Sequence, residues 1–303
     1  MRVLVTGCSG HVGGAVAHRL AEAGHEVWGL SRTHAETLPE AVRQVRVDLA
    51  MPDCAAQAAE ALPACEAVVH AAACLSKAPG DPGVVNVNCR GTQAMLALAQ
   101  QWQSAAFLFI SGVGVLGQPR ELPVTEARPA RPETAYTASK LFGEHLARIA
   151  GTSGALRTVT LRLTSPVGPG LRQRTIFRIF AERALAGQQL LLHGAGTREQ
   201  DYVDVRDAAA AAAAALERPA HGLFNIGGAA LSNRALAEQC VAALGSASEV
   251  AFSGEPAPDD AVRWRVSWEK ARRELGYAPR FPIGRSIQDF AAELNREPGY
   301  FTS

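Results

Sequence analysis

The chain begins with Arg2-Val3-Leu4-Val5-Thr6-Gly7-Cys8-Ser9-Gly10-His11-Val12-Gly13, a short apolar run followed by regularly spaced glycines. Val16 and Leu20 continue on one helical face, and Gly24 ends the pattern. This order predicts a buried strand, a tight glycine turn and a helix. In such a unit the first glycine permits the turn, the second lets the backbone approach a pyrophosphate, and the third lets the helix pack on the strand.

Apolar strands alternate with helical patterns from residue 1 to about residue 170. This alternation predicts right-handed βαβ units and a parallel sheet in an α/β protein. The rhythm changes afterwards: residues 171–200 include an amphipathic helical pattern, and residues 229–303 add helices and Pro-rich turns. Ala208 to Ala215 form a strongly helix-forming run, which we interpret as a packing helix capped by Asp204 or Asp207.

Tyr136 and Lys140 lie in the run Tyr136-Thr137-Ala138-Ser139-Lys140. On a helix the two side chains are one turn apart on the same face, so the ammonium is expected to stabilise the phenolate and lower its pKa. A phenol tuned in this way can exchange a proton with a substrate oxygen while a nicotinamide carries the hydride. Together with the glycine turn, the pair indicates an oxidoreductase.

The glycine turn followed much later by Tyr-x-x-x-Lys resembles the extended short-chain dehydrogenase/reductase family, the NAD(P)-dependent epimerase/dehydratase group. The resemblance covers nearly the whole chain. Further matching segments are Val47-Asp48-Leu49, Val68-Val69-His70-Ala71-Ala72-Ala73, Asn88-Cys89-Arg90-Gly91-Thr92, Leu161-Arg162, Val167-Gly168-Pro169-Gly170, residues 201–208, Asn225-Ile226-Gly227-Gly228 and residues 270–279.

The resemblance implies a Rossmann-type doubly wound parallel sheet with a smaller C-terminal substrate-binding part. The dinucleotide-binding domain would span residues 1–170, with residues 200–228 returning to it. Residues 171–199 and 229–303 would form the substrate-binding part. A ligand is then expected in the cleft between the two parts.

The resemblance also implies roles for individual residues. Tyr136 and Lys140 would be the catalytic pair, with Lys140 also binding the nicotinamide ribose. The substrate is expected to meet Gly112, Val113, Thr164, Ser165 and Arg198. The expected cofactor-binding residues, besides the catalytic pair, are Gly7, Ser9, Gly10, His11, Val12, Ser31, Arg32, Asp48, Leu49, Ala71, Ala72, Ala73, Ser111, Pro166 and Val167.

The choice of cofactor depends on the end of the second predicted strand, where NAD-preferring enzymes usually carry Asp or Glu for the adenosine ribose. Here the position is Ser31, followed by Arg32. A hydroxyl and a guanidinium can hold a phosphate dianion, with His34 or His11 as further donors, so we expect NADP, with NAD as the alternative. Asp48 resembles the family residue near the adenine, but it could equally cap the next turn.

Gly112 departs from the family pattern, because most members carry a Ser or Thr there that hydrogen-bonds the reacting oxygen. The adjacent Ser111 is expected to point to the opposite face of the strand. Loss of one preorganised donor typically costs about 10²- to 10³-fold in rate. Water, a substrate hydroxyl, Thr164 or Ser165 must substitute, or turnover is slow.

The positions that hold the diphosphate in nucleotide-sugar members also differ. Gln200 and Ala257 replace arginines, and Ser165 replaces an asparagine. Unless Arg198 or Arg263 compensates, a diphosphate sugar loses its main anchor. A smaller or less anionic hydroxy or keto compound is therefore the favoured substrate.

Three functions fit these residues. The first is an NADP-dependent reductase or dehydrogenase acting on a carbonyl or carbinol, which consumes cofactor. The second is a nucleotide-sugar epimerase or dehydratase, which recycles it. The third, a non-catalytic dinucleotide-binding regulator, is encouraged by Gly112 and disfavoured by Tyr136 and Lys140, and it ranks last.

Bulk composition excludes several other classes. The 303 residues are 48% hydrophobic and 19% charged with a net charge of +1, and the basic residues do not cluster, so neither nucleic acid nor membrane is expected as a partner. No apolar run approaches a membrane span, and the first strand leaves no room for a signal peptide, so we expect a cytoplasmic protein.

The six cysteines show no Cys-x-x-Cys pair, which predicts reduced thiols without a metal or a disulfide. His70 and His193 are interpreted as packed or hydrogen-bonded side chains rather than catalysts. Residues 84–103 and 133–150 resemble the helices that pair family members, so a homodimer is expected.

Overall fold

The computed structural model describes residues 1–76 and 78–296, so the last residues of the predicted 229–303 segment lie outside the described range. The strands are β1 (Arg2–Thr6), β2 (Glu26–Ser31), β3 (Val42–Arg46), β4 (Ala67–His70), β5 (Ala106–Gly112), β6 (Arg157–Leu163), β7 (Ser165–Val167), β8 (Leu190–Leu192), β9 (Glu199–Asp204), β10 (Gly222–Ile226), β11 (Ala229–Ser232) and β12 (Val250–Phe252).

The α-helices are α1 (His11–Glu22), α2 (Cys54–Ala61), α3 (Thr92–Gln101), α4 (Ala135–Gly151), α5 (Ile176–Leu185), α6 (Val205–Glu217), α7 (Asn233–Leu244), α8 (Glu269–Leu275) and α9 (Ile283–Leu294). A π-helical segment, Val84–Gly91, leads directly into α3, and a 3₁₀ turn, Val113–Leu116, follows β5.

The main sheet has seven parallel strands in the order β10-β6-β5-β4-β1-β2-β3. The chain starts in the middle, moves outward through β2 and β3, and then crosses to β4 on the other side of β1. This reversal opens a crevice at the carboxyl ends of β1 and β4, which is where ligands bind in open α/β sheets. The predicted doubly wound Rossmann-type α/β fold is confirmed.

Two apolar layers cover the main sheet, as its near-continuous apolar strands require. One contains side chains of α1, α6 and α8. The other contains side chains of α2, α3 and α4. The alanine run forms α6 as predicted: Asp204 caps it by accepting a hydrogen bond from the Arg206 N–H at 2.9 Å, and most of its alanines are buried.

A third apolar cluster is built from α5, α7 and α9 with β8 and β9. Beside it, β11 pairs antiparallel with β9 and β7 pairs parallel with β9. β12 pairs parallel with β8. These strands thus belong to two small sheets separate from the seven-stranded sheet, whereas β10 and α8 pack with the main sheet.

All six cysteines are free thiols. Among the residues that the structure describes, three or more metal-ligating side chains never gather in one place. In the same residues, every helix is too short or too polar to cross a membrane.

Candidate active site

The glycine turn after β1 has the geometry that a dinucleotide pyrophosphate requires. Gly7 has φ +70°, and a Cβ there would lie 2.7 Å from Ala72 Cα. A Cβ on Gly13 would overlap the carbonyl oxygen of Gly7. Gly10 is the N-cap of α1, and within residues 1–76 and 78–296 no side chain caps this helix end. The first-turn N–H groups of α1 are therefore suited to an anion, so the turn fits a dinucleotide.

The ends of β1 and β4 are joined by hydrogen bonds through His70. Thr6 Oγ1 accepts from the Ala72 N–H at 3.2 Å and contacts His70 Nδ1 at 2.8 Å. His70 Nε2 contacts Thr92 Oγ1 at 2.9 Å. Since the Thr92 hydroxyl donates to the Asn88 carbonyl, Nε2 carries the imidazole proton. His70 is fully buried, which lowers its pKa to about 3. The prediction of a packed, hydrogen-bonded histidine is confirmed.

Tyr136 and Lys140 lie in the first turns of α4, as their spacing predicts. A capping box between Thr134 and Thr137 fixes the start of this helix. Lys140 is 4% exposed, and its Nζ lies 4.2 Å from the ring centroid of Phe109. Burial lowers the pKa of Lys140 to about 8.

The pKa of Tyr136 shifts in the opposite direction to the sequence expectation. Burial raises it to about 12, because the low-dielectric surroundings penalise the phenolate. The prediction that the Lys140 ammonium lowers the pKa of Tyr136 is therefore wrong. That ammonium is itself buried against the aromatic ring of Phe109.

A buried ion pair joins α4 to β6. Arg162 on β6 donates to both oxygens of Glu144 on α4, at 2.9 and 2.6 Å. The hydroxyl of Ser111 donates to the same carboxylate at 2.6 Å. Ser111 thus points away from the cleft, as strand alternation predicts, and only its backbone is left for the predicted cofactor contact.

A cavity of about 520 Å³ opens beside Tyr136. The five residues predicted for the substrate, Gly112, Val113, Thr164, Ser165 and Arg198, all line it. The other lining residues are Gly114, Gly117, Gln118, Glu133, Thr134, Tyr136, Thr137, Leu163, Gln200, Asp201, Asp259, Val262 and Trp264.

Two hydroxyl side chains, Thr164 and Ser165, line the cavity next to the position of the missing donor. A Cβ on Gly112 would meet only the Leu163 carbonyl oxygen, at 3.7 Å, so the wall is open there. The Ser165 hydroxyl accepts a hydrogen bond from the Gln200 amide, so its own proton is left to donate. Thr164 Oγ1 is buried beside Asp201 and lowers the pKa of that carboxyl, although burial, the larger effect, raises it. Both hydroxyls are therefore candidates for the donor that residue 112 lacks.

Several cavity residues were missed by sequence reasoning, above all Trp264, Asp259 and Glu133. Trp264 and Asp259 come from the segment after β12, about 120 residues from Tyr136 in the chain, and no local pattern signals their approach. Arg263, predicted as a possible anchor, instead donates to the carbonyl oxygens of Asp260 and Val262. Arg198 does reach the cavity but is ion-paired with Asp259.

At the end of β2 the structure adds a second cation to the predicted phosphate site. Arg46 on β3 lies opposite Ser31 in the sheet register, and its Nε donates to the Arg32 carbonyl at 3.4 Å. The Ser31 hydroxyl donates to the Thr33 carbonyl at 2.7 Å, so its proton is already used. Phosphate recognition at this edge would rest on the two guanidinium groups.

Three other predicted cofactor residues have local surroundings that the structure describes. Asp48 Oδ1 accepts from the Ala50 N–H at 2.9 Å, which is the turn-capping alternative, while Leu49 is buried in the adjoining core. Burial lowers the pKa of His11 to about 4, so its imidazole is neutral at physiological pH. A neutral His11 adds no positive charge to the predicted phosphate site.

The remaining predicted cofactor residues surround the crevice. Ala71 to Ala73 follow β4, and the backbone there touches the Gly7 turn. Pro166 and Val167 lie on β7, which pairs with β9. Ser9 and Val12 flank the N-terminus of α1. Their contacts with a dinucleotide stay predictions.

The model of the NAD dependent epimerase/dehydratase family matches residues 3–227 of the chain. The UDP-glucose 4-epimerase of Mycolicibacterium smegmatis is 31% identical over 308 residues, covering 95% of this chain and 96% of the relative. The dTDP-glucose 4,6-dehydratase of Streptomyces niveus is 29% identical over 198 residues, covering 65% of this chain and 59% of the relative.

Solved structures agree with these sequence matches. The Thermus thermophilus UDP-glucose 4-epimerase in complex with NAD is 30% identical, superposes with a TM-score of 0.84, and covers 97% of this chain and 99% of that one. The resemblance inferred from the glycine turn and the Tyr-x-x-x-Lys pair is confirmed.

Proposed function

Because this chain belongs to the NAD dependent epimerase/dehydratase family, an enzyme family of the extended short-chain dehydrogenase type, we propose that it transfers hydride at a carbonyl or carbinol carbon of a hydroxy or keto substrate. The observation that carries this proposal is the cavity beside Tyr136, which contains all five residues predicted for the substrate. A substrate in that cavity would lie next to a phenol and a lysine on the same helix.

Tyr136 would exchange the proton at the substrate oxygen. A pKa of about 12 keeps the phenol protonated at neutral pH, which suits it to donate to a carbonyl oxygen as that oxygen gains charge. The nicotinamide of a bound dinucleotide would supply or accept the hydride. Lys140, whose charged form is retained below about pH 8, would hold the nicotinamide ribose.

Thr164 and Ser165 are our candidates for the hydroxyl that most family members carry at the position of Gly112. Both residues line the cavity, and Ser165 keeps its proton because its oxygen accepts from the Gln200 amide. One preorganised donor of this kind is typically worth about 10²- to 10³-fold in rate.

NADP is the proposed cofactor within this NAD-dependent family. Arg32 and Arg46 lie beside Ser31, at the strand end that contacts the adenosine ribose in dinucleotide folds. Two guanidinium groups favour a 2′-phosphate, whereas the carboxylate usual in NAD-preferring enzymes is replaced by Ser31.

A nucleotide-sugar epimerase or dehydratase is the second candidate. It is favoured by the named relatives, which are a UDP-glucose 4-epimerase and a dTDP-glucose 4,6-dehydratase. The same Tyr136 and Lys140 would serve, but the cofactor would be regenerated within each turnover.

We further propose a homodimer formed by the two helical segments predicted for pairing. Val85 is 52% exposed on the segment before α3, and Phe142 and Ile149 are 41% and 56% exposed on α4. Apolar side chains at this exposure on neighbouring helices would gain by burial in an interface. The division into a dinucleotide-binding and a substrate-binding part, and the cytoplasmic location, stay predictions.

The test combines a screen with a matched pair of variants. Purified protein is offered small ketones and nucleotide sugars with NADPH or NADH, and cofactor absorbance separates net reduction from internal recycling. Tyr136→Phe should lower turnover by about 10²-fold or more with nearly unchanged cofactor affinity. Tyr202→Phe removes a buried hydroxyl that does not line the cavity and should leave the rate unchanged. A Tyr136→Phe variant with most of the original rate would disprove the acid/base role.

A further inference from the structure

The cavity beside Tyr136 has an unusual balance of charge for a site related to those of nucleotide-sugar enzymes. Three carboxylates line it, those of Glu133, Asp201 and Asp259. Among the described residues in its wall, Arg198 is the single guanidinium. Anionic polyphosphates require several cationic partners, so one uncompensated arginine would already be a weak anchor.

Asp259 occupies that arginine. Its Oδ2 lies 3.0 Å from Arg198 Nε, and the side chains of Asp259 and Arg198 are 50% and 33% exposed to solvent. The Arg198 Nε–H is not aligned for a hydrogen bond, so the contact is an ion pair of imperfect geometry. A diphosphate that approached Arg198 would have to displace or face this carboxylate.

The pair is held by its surroundings rather than by its own hydrogen bonds. The neighbouring Asp260 accepts from the N–H groups of Ala195 and Thr197, at 2.5 and 3.2 Å. These bonds tie the turn before β9, which carries Arg198, to the loop that carries Asp259. Asp259 is thus kept beside Arg198, because moving it away would break the contacts of Asp260.

Neighbouring positions offer no replacement for the occupied arginine. Gln200 is neutral and its amide is bonded to Ser165. Ala257 has no polar side chain. We infer that Asp259 is a specificity-determining residue that withholds Arg198 from diphosphate groups, so that the site selects substrates without a diphosphate. This inference rests on the proposed function only in taking the cavity as the substrate site.

The experiment measures binding of UDP by titration calorimetry to protein whose dinucleotide cleft is saturated with whichever of NADP⁺ and NAD⁺ binds more tightly. Asp259→Ala should bind UDP at least tenfold more tightly than the original protein, because a repelling charge is removed and Arg198 is freed. Asp259→Asn provides a second, nearly isosteric variant. Asp53→Ala, which removes an exposed carboxylate outside the cavity wall, is the control for net charge and should change nothing.

Adding Arg198→Ala to Asp259→Ala should abolish the gain. Unchanged UDP affinity in both Asp259 variants, or a gain that survives the loss of Arg198, would overturn the inference. Binding needs no turnover, so a protein that fails to transfer hydride can still pass this test.

Discussion

Replacing Glu144 by Gln would test the buried ion pair between α4 and β6. Glu144 and Arg162 are 6% and 5% exposed, and two hydrogen bonds of 2.9 and 2.6 Å join them. The substitution keeps the volume but removes the negative charge and turns one acceptor oxygen into a donor. Because Arg162 Nη1 already has no hydrogen-bond partner among the described residues, the guanidinium would be buried without compensation.

The expected cost is large. Removing one partner of a buried pair typically costs about 3–5 kcal/mol, since the remaining charge stays in a low-dielectric site. Native domains are stable by only about 5–15 kcal/mol, so the variant should lose a substantial part of its free energy of unfolding. Glu144 also raises the pKa of Lys140 against the larger effect of burial, so Glu144→Gln should lower that pKa further below about 8.

Urea unfolding of four proteins measures this effect: the original chain, Glu144→Gln, Arg162→Met and the double variant. The double variant should lose less than the sum of the single losses, because it leaves no isolated charge. Glu238→Gln is the matched control, since it breaks an exposed pair with Arg234 at 2.8 Å and should cost less than about 1 kcal/mol. A Glu144→Gln loss as small as the control, or fully additive costs, would refute this reasoning.

Three further predictions concern the cofactor, the cavity wall and pH. NADPH should bind more tightly than NADH, and Arg32→Ala or Arg46→Ala should weaken NADPH by about tenfold while sparing NADH; equal titration curves for the two cofactors in the original protein would contradict this. The Gly112→Ser side chain should fit, because the cavity wall is open at that position. It should either raise kcat by adding a hydrogen-bond donor or raise KM by contacting the substrate. Unchanged kcat and KM would show that residue 112 does not face the reacting oxygen. His70 has a folded pKa of about 3 and His11 has one of about 4, against their ordinary 6.5, so between pH 6.5 and pH 4 the unfolded chain binds an extra proton at each residue. Each should lower the stability by about 1.4 kcal/mol per pH unit as the pH drops. His70→Asn should remove about half of this combined slope in urea titrations at pH 7 and pH 5, and an equally steep slope would argue against the neutral buried histidine.

Much of the fold could be predicted because its signals are local. At residues 2–24 the spacing of apolar residues and glycines is enough to predict the strand, the glycine turn and the helix. The Tyr136 and Lys140 spacing places both on one face of α4, whatever the rest of the chain does. The cavity residues at 112–113 and 164–165 were also found, since both pairs follow the carboxyl ends of adjacent parallel strands.

The shift of the Tyr136 pKa could not be predicted in this way. Spacing shows that a lysine is near, but the sign of the shift depends on how deeply the phenol is buried, which is set by packing from distant segments. The role of Ser31 could not be predicted either. A serine hydroxyl can donate to a phosphate, but in the folded protein it donates to the Thr33 carbonyl oxygen instead.

The sequence by itself determined the parallel α/β fold, the glycine turn after β1 and the placement of Tyr136 and Lys140 on one helix face, because each is encoded in residues within a few helical turns or one strand. Only the tertiary structure decided what surrounds them. It brings Arg46 opposite Ser31 through strand register, and Asp259 against Arg198 through a loop that packs from far along the chain. Such contacts depend on which distant surfaces meet, and they set the charge of the site on which the choice of cofactor and substrate depends.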